Sequence, residues 1–296
     1  MKIVIFVLHV QGDFGKTINA NMLGAYYTQG YDTRELFKDL RIAQTVSYEE
    51  HINKHHVFYI DFSRMPDYCD SYRTYIDSIM KTIKEDLMNI YPKLSEKSYD
   101  YLYQMFLDTN DSFIFIMDEW DSIFYKDFMQ EKDKKAYLEF LKGLLKDQPY
   151  VELAYMTGVL PIAKYSGGSE LNMFKEYNFM NDRIYEDYFG FDEEEIIELT
   201  KKYTKPSFET LKKWYDGYYK SDGSSLFNPR SVSSAITDGV CLNYWTETGP
   251  MDEIAEYIEH NVDAVREDIV KMVAGIPIEV ELVRIWRRTV TLRQSG

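Results

Sequence analysis

Cysteine is scarce in this chain, with only Cys69 and Cys241 among 296 residues. Two cysteines so far apart provide neither a disulfide framework nor a cysteine-rich metal cluster, and a reducing cytoplasm is therefore the expected location. Long apolar runs are missing too. The run at residues 2–10 is far too short to cross a bilayer and no small-residue cleavage site follows it, so it predicts a β-strand rather than a signal peptide.

Positive charge is also in short supply. The 34 Lys and Arg residues face 49 Asp and Glu residues, which gives a formal net charge of −15. Proteins that bind nucleic acid or membrane surfaces need clustered Lys and Arg, so the sequence predicts neither kind of partner. There is no Gly-x-Ser-x-Gly motif and no lone reactive Cys with a clear His partner, which leaves a serine or cysteine hydrolase unsupported.

What the chain does have is a 45% hydrophobic share, enough for one large domain or two modest ones. A continuous apolar run, typical of a strand buried on both faces of a parallel sheet, occurs at residues 3–8, and three further strand-like apolar segments occur at 57–62, 113–117 and 151–156. Helical spacing of apolar residues lies between these runs. The alternation predicts an α/β fold with a mainly parallel sheet flanked by helices.

The pattern changes near residue 160, where strand-like runs become scarce and helical spacing begins to dominate. Asp192 with Glu195 three residues later predicts a capped helix start, and Asn228-Pro229 predicts another. Residues 214–218, Trp-Tyr-Asp-Gly-Tyr, are predicted to form an aromatic turn.

Three regions follow from this reading. We expect an α/β core over residues 1–160 and a mostly helical, lid-like subdomain over residues 161–282, with helical spacing continuing at 254–272. Residues 283–296 form an atypical basic tail without an acidic residue, which carries Arg284, Arg287, Arg288 and Arg293.

The segment that suggests a function is 10–17, Val-Gln-Gly-Asp-Phe-Gly-Lys-Thr, between the first strand and the first helix. A helix N-terminus after a glycine turn offers N–H donors and a positive dipole to a phosphate. In a phosphate-binding loop of the Walker A type, Gly12 and Gly15 would form the turn. Lys16 would reach the β- and γ-phosphates, and the Thr17 hydroxyl would bind Mg²⁺.

The match to a phosphate-binding loop is incomplete. The full pattern has glycine where Val10 stands, and Asp13 places a negative charge where phosphate should lie. The alternative is an ordinary strand-turn-helix corner with a solvated lysine.

An acidic pair, Asp118-Glu119, follows the third apolar run and has the character of a Walker B motif. Strand ends share one edge of a parallel sheet, so this pair is expected to converge with Lys16. Asp118 would hold Mg²⁺ and Glu119 would activate the attacking water. The alternative is two solvated carboxylates.

Asp121 is interpreted as a helix N-cap, with a supporting role at the site as the alternative.

Thr157 ends the fourth strand and is a candidate sensor of the γ-phosphate, or a simple strand-end hydroxyl. Arg183 lies among acidic neighbours, and a surface ion pair is favoured over an arginine finger. His51 and His55 have the spacing of one helix face, but their polar surroundings favour a solvated segment over a metal site.

Six blocks of sequence resemble, in the same order, the bacterial AAA-ATPase-like family: residues 14–23, 118–121, 156–164, 187–191, 214–218 and 228–232. The resemblance implies a P-loop NTPase fold with a mostly helical C-terminal subdomain. It implies ATP and Mg²⁺ as cofactors, with Lys16, Thr17 and Asp118 at the phosphates and metal and Glu119 as the catalytic residue.

The chain also departs from that family. The family loop usually reads Arg-Pro-Arg-Arg at the positions of residues 10–13, and members often carry a PD-(D/E)XK nuclease-like domain after the ATPase part. An N-terminal segment of the family is also not matched here, so the resemblance implies a copy truncated at both ends.

Two functions remain open. The first is an ATPase whose Mg-dependent hydrolysis of ATP drives an unknown partner or substrate, with a homo-oligomer as one expected form. The second is a catalytically impaired P-loop binding module that acts as an interaction protein, favoured by Asp13 because a like charge weakens phosphate binding. A small-molecule kinase is a weaker third hypothesis.

Overall fold

A computed structural model describes residues 4–9, 14–159, 174–178 and 184–244. The chain divides into two compact units, Met1–Leu242 and Asn243–Gly296, and the sheet and helices described here belong to the first. Several predicted features lie outside the described residues: Gly12, Asp13, Arg183, the helical spacing at 254–272 and the basic tail at 283–296.

A five-stranded parallel sheet forms the centre of the first unit, in the order β2-β3-β4-β1-β5. Its strands are β1 Val4–His9, β2 His56–Asp61, β3 Phe113–Asp118, β4 Val151–Gly158 and β5 Lys175–Asn178. The predicted α/β fold with a mainly parallel sheet is confirmed. The strand β4 lies between β1 and β3, so the loop after β1 and the acidic end of β3 are not direct neighbours.

Helices cover the sheet and fill most of the connections. The described α-helices are α1 Lys16–Tyr27, α2 Arg34–Phe37, α3 Tyr48–His51, α4 Tyr72–Ile90, α5 Leu102–Thr109, α6 Glu131–Leu145, α7 Glu193–Lys202, α8 Phe208–Tyr215 and α9 Pro229–Asp238. Short 3₁₀ turns lie at Arg41–Gln44, Pro92–Glu96, Ser122–Tyr125 and Glu186–Tyr188. Within the described part of the chain, every helix is too short or too polar to span a bilayer.

The strand β3 shows why both faces of the sheet are buried. All six of its residues are buried. Because side chains alternate along a strand, Phe113, Phe115 and Met117 enter one core, with residues of α4, α5 and α6. Ile114 and Ile116 enter the opposite core, which contains residues of α1. The sheet is therefore covered on both faces, as a parallel sheet requires.

Two predicted helix starts in the second half are confirmed. The Asp192 carboxylate accepts the Glu195 N–H at 2.8 Å, and the Glu195 carboxylate accepts the Asp192 N–H at 3.0 Å. This reciprocal capping box begins α7. The Asn228 side chain accepts the Ser231 N–H at 3.0 Å and begins α9 with Pro229 at its first position.

The aromatic turn predicted at residues 214–218 is wrong. The segment is instead the last turn of α8 joined directly to β6, Asp216–Tyr219. The strand β6 pairs antiparallel with β7, Ser225–Phe227, to make a small hairpin. Aromatic side chains suit strands as well as turns, and the Asp-Gly pair lies inside β6 rather than at its turn.

Candidate nucleotide site

The loop after β1 delivers the chain to the N-terminus of α1 through Gly15. Gly15 has a φ of 90°, in the left-handed region that glycine enters without steric cost. Its carbonyl accepts the Asn19 N–H at 3.0 Å and so belongs to the first helical turn. No side-chain cap is made by Gly15 and no acidic residue lies in the first turn. A helix N-terminus without an acidic residue in its first turn suits an anion.

Lys16 and Thr17 are the first two residues of α1 and differ in exposure. Lys16 is only 7% exposed, whereas Thr17 is exposed. A buried ammonium group needs compensating negative charge. Burial raises the pKa of Glu119 and the positive charge of Lys16 opposes that rise, so Lys16 and Glu119 lie within electrostatic reach of each other. The predicted convergence of Lys16 with the whole acidic pair stays a prediction, and its proximity to Glu119 supports it.

The acidic end of β3 lies beside a second acidic strand end. The register of β2 and β3 pairs Asp61 with Asp118, and the Phe62 N–H continues the ladder to the Asp118 carbonyl at 3.0 Å. Glu119 follows with a φ of 50°, which is uncommon for a residue with a side chain. A turn this sharp directs the chain out of the sheet at the site.

Asp118 is buried and its two carboxylate oxygens have different partners. The Thr157 hydroxyl donates to Oδ1, and the Tyr59 hydroxyl donates to Oδ2 at 3.4 Å. Thr157 also accepts the Glu119 N–H at 3.3 Å, so one hydroxyl joins both members of the acidic pair. The side chain predicted as a phosphate sensor therefore contacts the acidic residues directly.

Burial raises the pKa of Glu119 above the usual range of a glutamate. The positive charge of Lys16 opposes this effect, while the carboxylates of Asp118, Asp61 and Asp121 add to it. A carboxylate whose pKa is raised binds a proton more tightly, and it is therefore a better base toward water. The electrostatics of Glu119 suit the role predicted for it.

Asp121 occupies the N-cap position of the 3₁₀ turn Ser122–Tyr125, but its side chain makes no capping bond there. Its carboxylate instead accepts the Val159 N–H, just after β4, at 2.9 Å. The predicted helix cap is therefore wrong for the side chain. The N–H group at the end of a neighbouring strand competes successfully for the carboxylate.

The histidines lie at the opposite edge of the sheet. The helix α3 ends at His51, so the prediction that His51 and His55 share a helix face is wrong. Their rings nevertheless meet, with His51 Nδ1 and His55 Nε2 3.0 Å apart, and His55 Nδ1 lies 3.1 Å from Glu152 Oε2. Among the described residues no group of three or more His, Cys, Asp and Glu side chains is placed to hold a metal ion.

Sequence reasoning missed two residues of the site, Asp61 and Tyr59. Asp61 follows the apolar residues 57–60, just as Asp118 follows 113–117, and this similar position is the signal in the sequence. The role of Tyr59 has no comparable signal, because its hydroxyl reaches Asp118 only through the pairing of β2 with β3.

We expect Gly158→Ala to destabilise the site. A Cβ atom at Gly158 would lie 2.4 Å from Trp120 Nε1 and 2.7 Å from Asp121 Oδ1, and the Trp120 side chain is fully buried. Overpacking of this kind costs about 1–3 kcal/mol, measurable as a lower free energy of unfolding in urea. Gly143→Ala is the control, since nothing lies within 4 Å of its added Cβ and the residue is helical. Equal stability of the two variants would contradict this packing.

The fold and site together define a class: a parallel α/β fold of the P-loop type, with a glycine-lysine-threonine turn after β1 and an acidic pair after β3. The family model described as "Predicted AAA-ATPase" matches residues 10–166, more than half of the chain. The chain belongs to this AAA-ATPase-like family and is ATPase-like in that broad sense. A comparison with curated proteins finds no match.

Proposed function

We propose that the protein binds ATP with Mg²⁺ and hydrolyses it, and that hydrolysis acts on a partner or substrate that the sequence does not specify. The observation that carries this proposal is that Lys16, buried at the start of α1, lies within electrostatic reach of Glu119, which follows the buried Asp118 at the end of β3. A buried lysine at a helix N-terminus opposite two carboxylates suits a bound metal–triphosphate.

Each predicted residue has a proposed role. Gly12 and Gly15 form the loop around the phosphates, and Lys16 holds the β- and γ-phosphate oxygens. Thr17 and Asp118 hold the metal ion. Glu119 takes a proton from the attacking water, for which its raised pKa is suited.

The chemistry of the donors fits Mg²⁺. The ion prefers hard oxygen ligands and commonly uses one or two carboxylates together with water and substrate phosphates. Thr17 offers an exposed hydroxyl and Asp118 a carboxylate, with Asp61 beside it in the register. When bound, the metal supplies positive charge that offsets the charge of the phosphates.

Thr157 is proposed to hold the acidic pair in position, in addition to the predicted role as a sensor. We expect Thr157→Val to lose about 1–3 kcal/mol of stability, because the Asp118 and Glu119 bonds lose their shared partner. ATP turnover should fall with it. Thr157→Ser keeps the hydroxyl and is the control. Urea denaturation and phosphate release measure the two effects, and a Thr157→Val variant as stable and active as wild type would refute the role.

The domain organisation stays a proposal: an ATPase core over residues 1–160, a mostly helical lid-like subdomain over 161–282 and a basic tail over 283–296. We propose that the lid-like part couples nucleotide turnover to the partner. A homo-oligomer and a cytoplasmic location also remain proposals, supported by the family and by the scarcity of cysteine respectively.

The second candidate is a catalytically impaired binding module that works as an interaction protein. The altered loop favours it, because Asp13 stands where the family usually has arginine. Phosphate release from Mg-ATP by the full chain separates the two functions. Turnover that disappears when Mg²⁺ is chelated supports the ATPase, whereas tight ATP binding with no release supports the binding module.

A further inference from the structure

Two family-like blocks of the second half have no role in the proposed hydrolysis, yet the structure places both beside the start of α1. In block 214–218, the ring of Tyr218 meets Phe14 edge to face with centroids 4.7 Å apart. In block 187–191, the Tyr188 carbonyl accepts the Asn19 side-chain N–H at 3.0 Å. Phe14 and Asn19 flank the glycine-lysine-threonine turn, so both blocks adjoin the proposed phosphate site.

The segment that carries Tyr188 is held firmly on both sides. The Lys220 ammonium group donates to Asp187 at 2.8 Å, and Ser221 donates from its N–H and hydroxyl to Glu186 at 2.8 Å. Phe189 is buried in the core beneath. The Tyr188 side chain itself is 68% exposed. Its closest described aromatic neighbour is the tilted ring of Tyr185, with centroids 6.2 Å apart.

A second exposed apolar side chain lies on α1 itself. Ile18 is 63% exposed and follows Lys16 by two residues, about 3 Å along the helix axis. Met22, one turn later on the same face, is 41% exposed. Apolar surface therefore begins within one helical turn of Lys16, the residue proposed to hold the phosphates. The Asn19 side chain, on the same helix, donates its hydrogen bond to the backbone carbonyl of Tyr188.

We propose that Ile18 and Tyr188 form the base-binding part of the nucleotide site, with the base stacked on the Tyr188 ring and Ile18 beside it. This inference rests on the proposed function, since it requires the phosphates at the N-terminus of α1. Continuity with that phosphate site argues for a nucleotide base rather than a protein partner. An exposed aromatic ring held in place by its backbone is the platform that bases prefer.

The test compares ATP with inorganic tripolyphosphate, both with Mg²⁺, by calorimetric titration of the full chain. Tyr188→Ala should raise the Kd for ATP about tenfold and leave the Kd for tripolyphosphate unchanged. Tyr188→Phe keeps the ring and should bind ATP like wild type. Tyr31→Ala removes an equally exposed tyrosine, 73% exposed, and is the control. Ile18→Ala should raise the Kd for ATP by a smaller factor.

The outcomes separate this inference from the proposed function. If wild type binds both ligands and Tyr188→Ala and Ile18→Ala leave the ratio of the two Kd values unchanged, the base site is overturned and the phosphate site stands. If wild type binds neither ligand, both proposals fail. Sedimentation of the same variants provides a further outcome. If the wild-type chain is an oligomer, the variants are not, and the ratio of the two Kd values is unchanged, then Ile18 and Tyr188 form a contact between copies of the chain. That result overturns the base site.

Discussion

Lys16→Ala is expected to raise the Kd for Mg-ATP at least about 30-fold, because truncating one partner of a buried, hydrogen-bonded charge pair costs about 2–5 kcal/mol. The Lys16 side chain is buried, so its ammonium group interacts with phosphate charge across little water. Calorimetric titration measures the change. The methyl group of alanine cannot replace the positive charge of Lys16. The variant also leaves Glu119 without the nearby positive charge that favours its ionised form.

The matched control is Lys54→Ala. Lys54 is an exposed lysine just before β2, at the edge of the sheet opposite the proposed site. Removing it changes the net charge of the protein by the same amount and should leave the Kd within twofold of wild type. Circular dichroism and urea denaturation of Lys16→Ala show whether the fold is retained. A folded Lys16→Ala variant that binds Mg-ATP as tightly as wild type would refute the phosphate role of Lys16.

Glu119→Gln is expected to reduce ATP turnover by about 10²–10⁴-fold, the range typical for loss of a general base. Binding of Mg-ATP should be retained, because the amide has the shape of the carboxylate and the backbone bond from the Glu119 N–H to Thr157 is unaffected. Phosphate release under single-turnover conditions measures the chemical step, and calorimetry measures binding.

An exposed glutamate provides the control for that substitution. Glu96→Gln changes the same functional group in the 3₁₀ turn Pro92–Glu96, remote in sequence from the site, and should leave turnover unchanged. If Glu119→Gln turns over ATP at the wild-type rate, Glu119 is not the base. If instead wild type binds ATP without turnover, the chain is the binding module and Glu119 has no catalytic role to lose.

Much of the fold could be predicted because its signals are local. The apolar residues 113–117 of β3 suit a strand covered on both faces, and the capping box at Asp192 and the N-cap at Asn228 each lie within four residues of sequence. Lys16 and Asp118 could be placed at one edge from the rule that parallel strands share a carboxyl end.

Other features depend on contacts between distant residues and carry little local signal. The pairing of Asp61 with Asp118 follows from the register of β2 and β3, which neither strand encodes alone. The strand β5 is short and pairs with β1 from far along the chain. The hydroxyl of Thr157 reaches Asp118 and the Glu119 N–H only because β4 lies next to β3.

The second-half blocks illustrate the same limit of local patterns. An Asp-Gly pair among aromatic residues favours a turn, and this local pattern predicts one at residues 214–218. In the folded chain, β6 brings Tyr218 onto Phe14, a contact between residues about 200 positions apart, and β7 supplies the facing strand. Long-range packing of this kind decided the secondary structure.

The central claim is that the start of α1 and the end of β3 together bind Mg-ATP. Titration of the wild-type chain with ATP in the presence of Mg²⁺, followed by calorimetry, tests it most directly. We predict a saturable heat that corresponds to one nucleotide per chain and disappears in Lys16→Ala. The absence of any binding heat at millimolar ATP would contradict the claim.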